Sequence, residues 1–473
     1  MSKFFVVFLN KTCLTFVGLM LNKSVNTMKN RNYLFVLLFT MGIVGMTLTG
    51  CSKDEEPQPQ NLVEVASANS QFSILVEALQ KADLAETLKG SGPFTVFAPT
   101  NDAFNALFSQ LGVSGINDLT VDQLKPILLY HVLSGKLTSN QLSNGYVSTL
   151  SPGPGNLGIS LKVDVASLKL NGNVSITWAD IDASNGVIHA IDKVLLPPTI
   201  VDIALANNDF TTLTAAVLKA NLATTLQGNG TYTVFAPTNA AFSSLFSALG
   251  IVGLESLSAE TLTPILLYHV LGSVINSTQL QSGYISTLSS GPNNSSLSLN
   301  VNAANAKLNG DVNIVLTDIV GSNGIIHVID KVLLPPSIVD LALGNPNFSV
   351  LVSALVKAEL VETLNGSGPF TVFAPTNDAF NKLFNKLGVT GIDQLTKEDL
   401  TPILLYHVVS GNVRSNQLSS GPVETLNGNI NVEMGNPVTI NGTSKVVLTD
   451  VQGTNGVIHV IDEVLVPSGK YEK

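Results

Sequence analysis

The chain has six histidines, and all six fall in two recurring blocks. His131, His269 and His407 close Ile-Leu-Leu-Tyr-His runs, directly after Tyr130, Tyr268 and Tyr406. His189, His327 and His459 sit in Asn-Gly-Val/Ile-Ile-His-x-Ile-Asp runs. Imidazoles recurring beside carboxylates could bind a metal or move protons. The spacing argues against both. On a strand, residues three apart point to opposite faces, so His189 and Asp192 cannot share one ion. His189 shares its face with Val187 and Ile191, which predicts a buried, neutral ring hydrogen-bonded to backbone. Pairing His131 with His189 would still leave a site short of a third ligand. Gly-x-Ser-x-Gly, His-Glu-x-x-His and Gly-Lys-Ser/Thr motifs do not occur. The expectation is no catalytic residue, no metal and no cofactor: not an enzyme.

The elements that carry these residues occur three times. The run Phe-Thr-Val-Phe-Ala-Pro-Thr-Asn-Asp-Ala-Phe at 94–104 returns at 232–242 and 370–380, with Tyr232 and Ala240 as its changes. The Tyr-His block keeps the same spacing. The Asn-Gly block does so once, and its third occurrence comes six residues early. A period this long is a whole domain. Domains are therefore expected at 61–198, 199–336 and 337–467. In each, helical periodicity over 63–88 predicts one or two amphipathic helices, followed by a buried strand at 94–97. Thr100 caps the next helix and Gly112 ends it. A further helix runs from Thr120 to Leu133, kinked at Pro126 or split there. From 145 to 197, alternating apolar residues and Asn-Gly turns predict short antiparallel strands. Helices first and strands later make an α+β class. Tight Pro-Pro boundaries at 197–198 and 335–336 predict a semi-rigid string.

Composition narrows the partners. The formal charge is −10, and five of the 24 basic residues lie in 1–50, leaving 19 basic against 34 acidic beyond them. Nucleic-acid binding is excluded by the lack of basic patches. Cys13 and Cys51 lie outside the repeats, so the domains have neither disulfides nor thiolate sites. Lys29 and Arg31 precede an apolar run at 33–48, a signal-segment pattern within 1–50 that Met28 would begin at ordinary length. Leu48-Thr-Gly-Cys51 resembles the lipobox of bacterial lipoproteins, which implies lipidation of Cys51 and a lipidated tether at 51–60. The acidic Asp54-Glu55-Glu56 run resembles a surface-export signal of outer-membrane lipoproteins, and a solvated tether explains it equally well.

The three blocks, in this order and spacing, resemble the fasciclin domain across 61–467. The resemblance implies three tandem domains, each a small β-sandwich or wedge packed with several α-helices. It also implies an extracellular adhesion role, with matrix proteins as partners. Two family sequences tied to integrin binding fall here on Asp180-Ile181, Asp318-Ile319 and Asp450-Val451, and on Tyr130-His131, Tyr268-His269 and Tyr406-His407. A surface polysaccharide-binding protein and an envelope spacer are the alternatives. Trp178, the lone tryptophan, is expected to pack on a strand, with an exposed sugar platform as the other reading.

Overall fold

The computed structural model describes residues 59–228 and 230–468. The signal segment, Cys51 and most of the tether lie outside the described residues. In copy 1 the elements are α1 (Leu62–Ala68), α2 (Ser73–Lys81), α3 (Ala85–Lys89), β1 (Phe94–Pro99), α4 (Asn101–Leu111) and α5 (Val121–Tyr130). There follow β2 (Val132–Ser134), β3 (Gly145–Pro152), β4 (Gly158–Asp164), β5 (Lys169–Leu170), β6 (Val174–Ala183) and β7 (Gly186–Ile191). Copies 2 and 3 repeat this order. Each copy is α+β, and its sheet is one rolled ribbon of seven strands. In copy 1 a single bridge, Leu133 opposite Thr149, closes the ribbon into a barrel.

Local chemistry sets the helix ends. Asn61 and Glu64 form a capping box at α1, and Thr120 and Gln123 form one at α5. Thr100 accepts from the Ala103 amide, and Gly112, at φ 69°, ends α4 in the left-handed region. The expected one or two helices over 63–88 are three. Asn69 breaks the first run by accepting from the Gln71 amide, and Asp83, at φ 55°, ends the second. Pro126 does not split α5, which runs on through it as one helix. The amide it lacks would have reached the carbonyl of Asp122, which is exposed and can be satisfied by water. That helix stops at Tyr130 rather than Leu133, and β2 follows it.

The antiparallel expectation fails at one place. β7 pairs parallel with β1, from Phe94 opposite Gly186 to Pro99 opposite Ile191. The two strands approach closely there: a Cβ on Gly186 would stand 2.2 Å from the Phe94 carbonyl oxygen. This central pair divides two cores. Val96, Ala98, Ile188 and Ala190 face the helices with Phe72, Phe104 and Leu124. Phe97 and Ile191 face the barrel interior with Tyr130, Leu161 and Leu170. Alternation along a strand produces this division, and both histidine blocks lie on it.

Candidate functional site

α5 delivers His131 to the seam between the two cores, fully buried. The Leu195 amide donates to its Nε2 at 2.9 Å. An amide can only donate, so the proton sits on Nδ1, which donates to the Ile127 carbonyl at 2.8 Å. His269 repeats this with Leu333 and Ile265, and His407 with Leu465 and Ile403. Burial pushes each of the three down to about 4, against a smaller opposite pull from the carbonyl bond. They are neutral at pH 7, with both ring nitrogens occupied. Tyr130 and Tyr268 are fully buried and Tyr406 nearly so. Their hydroxyls donate to the carbonyls of Ser160, Ser298 and Asn429. The Tyr-His pairs therefore fasten α5 to β4 and to the segment that leaves the domain. The folded surface does not offer their rings to a partner.

His189 lies on β7 with its ring 5.6 Å from that of Phe97. Its Nε2 donates to the Leu137 carbonyl at 2.9 Å, and its Nδ1 accepts from the Asp180 amide at 3.2 Å. His327 and His459 do the same. Asp180, Asp318 and Asp450 sit at a β6 bulge with φ of 63°, 60° and 63°. The Asp180 carboxylate accepts from the Ser139 amide at 2.7 Å and its hydroxyl at 2.6 Å. Ser277 serves Asp318 and Ser415 serves Asp450 in the same way. The Ser139 hydroxyl and amide hold the Asp180 carboxyl below its usual range. Burial of Asp450 works the other way, but the Ser415 bonds and Arg414 together outweigh it. Thus the aspartates pin the loop after β2 to β6. Ile319 and Val451 are buried, and Ile181 is half-buried.

One clamp escaped the sequence analysis. Asn185, expected only as a turn former, accepts from the Leu62 amide at 2.9 Å. It also donates to the carbonyls of Leu88 and Gly90 at 2.7 and 2.6 Å. Asn323 and Asn455 hold the matching groups of their copies. The residue thus ties α1, α3 and the β6–β7 turn together. Asn-Gly stands here in all three copies, but so does the Asn-Gly turn at 171–172, 309–310 and 441–442, so the sequence alone did not separate a clamp from a turn.

The other surprise is Trp178. It is 54% exposed on β6 rather than packed beneath it. Leu316 and Leu448 at the matching places are 48% and 43% exposed, and Val315 and Val447 beside them are exposed as well. Among the described residues, no three His, Cys, Asp or Glu side chains converge to hold a metal. No helix among them is long and apolar enough to cross a membrane.

A fasciclin-domain model matches the chain at 70–197, 208–335 and 346–467, which takes in the seven strands of each copy and every helix but the first. The chain belongs to the fasciclin-domain family. The fasciclin chain is 30% identical to transforming growth factor-beta-induced protein ig-h3 of Sus scrofa over 86% of its own length and 58% of that protein's. It is also 30% identical to periostin of Homo sapiens, over 86% of its length and 47% of periostin's. It spans about half the length of these animal relatives. A bacterial fasciclin relative, protein sll1483 of Synechocystis, is 47% identical over 29% of the chain and 73% of that protein. A solved fasciclin-domain pair from the insect cell adhesion molecule fasciclin I aligns with 56% of this chain and 95% of that one, at a TM-score of 0.33 and 20% identity.

Proposed function

We propose that this chain is a non-catalytic adhesion protein of the cell exterior that holds an extracellular matrix protein through three repeated, individually weak faces. The fasciclin resemblance implies adhesion. The observation that carries the reading to a surface is the exposed pair on β6 in each copy: Thr177-Trp178, Val315-Leu316 and Val447-Leu448. The histidines, tyrosines and asparagines of the repeated blocks are buried or half-buried and bonded internally, so their recurrence follows from building the fold. Apart from the bond from the Thr177 hydroxyl to the Ala190 carbonyl, the β6 pair has no such duty. Apolar side chains held in water at one place in every copy are the signature of a contact surface. Asp180 and Asp450 lie two residues further along, with their carboxylates 42% and 20% exposed at the rim. Linking weak faces multiplies binding without any new contact. Replacing Trp178, Leu316 and Leu448 with serine, singly and together, is expected to lower attachment to a matrix-coated surface in steps while leaving the melts unchanged. Attachment that survives all three replacements removes the β6 face from the account.

Trp178 favours a second reading for copy 1. An exposed indole is a platform for a sugar ring, so a glycan or polysaccharide ligand would fail with the Trp178→Ala chain alone. Equal sensitivity of the three copies would count against it.

The anchor follows from the lipobox resemblance. We assign membrane attachment to acylation of Cys51, with the chain lipid-anchored to the outer membrane and surface-exposed. Metabolic labelling with palmitate should mark the natural chain and miss the Cys51→Ser chain, which accumulates as uncleaved precursor. A labelled serine variant would refute the assignment.

A further inference from the structure

The two junctions between copies use one set of positions. At the first, Tyr146 of copy 1 packs on the helical core of copy 2, and its hydroxyl accepts from Asn207 Nδ2 at 3.3 Å. At the second, Tyr284 packs on copy 3 and accepts from Asn345 at 3.0 Å. Ser160 Oγ accepts from the Val320 amide, and Ser298 Oγ from the Gln452 amide, each at 2.9 Å. The turns at 150–158 and 288–296 then lie against the next copy. A Cβ on Gly153 would stand 2.7 Å from Val320 Cγ1, and one on Gly291 would stand 2.9 Å from the Gly453 carbonyl oxygen. A side chain at either glycine would force one copy to shift against the next.

Copy 3 lacks every part of this donating face. Thr149, Thr287 and Thr425 are equivalent, since their hydroxyls donate across the same hairpin to the carbonyls of Ile159, Leu297 and Gly428. Between them the long turns of copies 1 and 2 shrink to Leu426-Asn427 in copy 3. The six-residue shortening of the third copy is therefore the loss of the docking turn, offset by one residue gained further on. Pro422 stands where Tyr146 and Tyr284 stand, after the glycine that opens the same strand. Asn429 replaces Ser160 and Ser298, as the bond each receives from its Tyr hydroxyl shows.

Copy 1 is altered on the opposite, receiving face. That face carries Val274 and Val320 in copy 2, and the hydrogen-bonded amides Asn412 and Gln452 in copy 3. The same two places in copy 1 hold Lys136 and Asp182, an ion pair with side chains 39% and 78% exposed. Covering this pair with an apolar turn would strip water from two charges.

We propose that the 150–158 and 288–296 turns are the device by which one fasciclin copy grips the next, and that copies 1 and 3 are built as the two ends of a closed stack. Copy 3 cannot grip a further copy, and copy 1 cannot be gripped. The partner that fits the donating face is another copy bearing a Val-Val or amide receiving pair. The same logic governs repeat proteins, whose terminal units carry outer faces that stop the stack.

The repeats contain no cysteine, so spin-label pairs placed in neighbouring copies of the soluble 52–473 chain report each junction by its distance distribution. Narrow peaks are expected across both natural junctions. Exchanging 288–296 for Leu-Asn, together with Tyr284→Pro, should abolish the narrow peak between copies 2 and 3 and spare the other. In a four-copy chain with a second 337–467 segment joined after Pro467 through one proline, the new junction should be broad. Grafting 288–296 in place of Leu426-Asn427 with Pro422→Tyr should make it narrow. A narrow new junction without the graft, or one still broad with it, overturns the proposal, and this holds even if the shortened copy 2 fails to fold.

Discussion

Asn185→Ala unfolds copy 1 while copies 2 and 3 stay folded. The alanine removes one acceptor and two donors from a nearly closed site and leaves the Leu62 amide and the Leu88 and Gly90 carbonyls without partners. The Leu62 amide and the Leu88 carbonyl are stranded in buried positions at about 1–3 kcal/mol each, whereas Gly90 is exposed and its carbonyl can turn to water, so roughly 2 kcal/mol is the low end of the loss. That is a large share of the stability of one domain. Hydrogen exchange on the soluble chain resolves the effect by copy. Amides of α1, α3 and β7 should lose protection, and the corresponding amides around Asn323 and Asn455 should keep it. Asn323→Ala should move the loss to copy 2. Retained protection at β7 would mean that packing alone positions the turn.

Acid destabilises all three copies together, and the histidines set the window. In the unfolded chain His131, His269 and His407 take a proton near pH 6.5, but in the folded chain only near 4. Between these values the unfolded state binds more protons, so stability falls as pH falls. The full contribution is present above pH 6.5, and by pH 4 each copy has lost on the order of 3 kcal/mol from this one ring. Burial shifts His327 and His459 in the same direction. The lowered carboxyls of Asp180 and Asp450 extend the loss to lower pH still. Denaturant midpoints measured from pH 7.5 to 4 should drop steadily through this interval. A flat profile down to pH 5 would show that the rings reach water and that their bonds to backbone are easily exchanged.

Much of the fold was legible because the repeats are long and apolar patterning is strong. Phe94–Pro99 is apolar on both faces and is a central strand. Thr100, Thr120 and Gly112 mark helix ends through their own side-chain chemistry or lack of it. His189 shares a face with Val187 and Ile191, and that placed it in the core. What could not be read depends on contacts between distant segments. The parallel pairing of β1 and β7 joins residues separated by nearly a whole domain, and no local period encodes it. Asn185 looks like any turn asparagine until α1 and α3 pack around it. Asp180 stood out only as part of the family's Asp-Ile pair, and its left-handed backbone and its bonds to Ser139 arise only when the loop after β2 folds back. Trp178 shows the opposite failure. Its hydrophobicity suggested packing, whereas the bulge leaves it in water.

The recurring buried residues build the fold, and the β6 face of each copy is the binding surface we propose. Cells displaying equal densities of the anchored chain with three, two, one or no intact Trp178, Leu316 and Leu448 positions can be compared for attachment to a matrix-coated surface under flow. Attachment should fall steeply with each face removed, because avidity from linked weak faces can exceed a single affinity by roughly 10²–10⁴. If cells bearing no intact face attach as well as those bearing three, the β6 face is not the binding surface and the chain acts as a spacer.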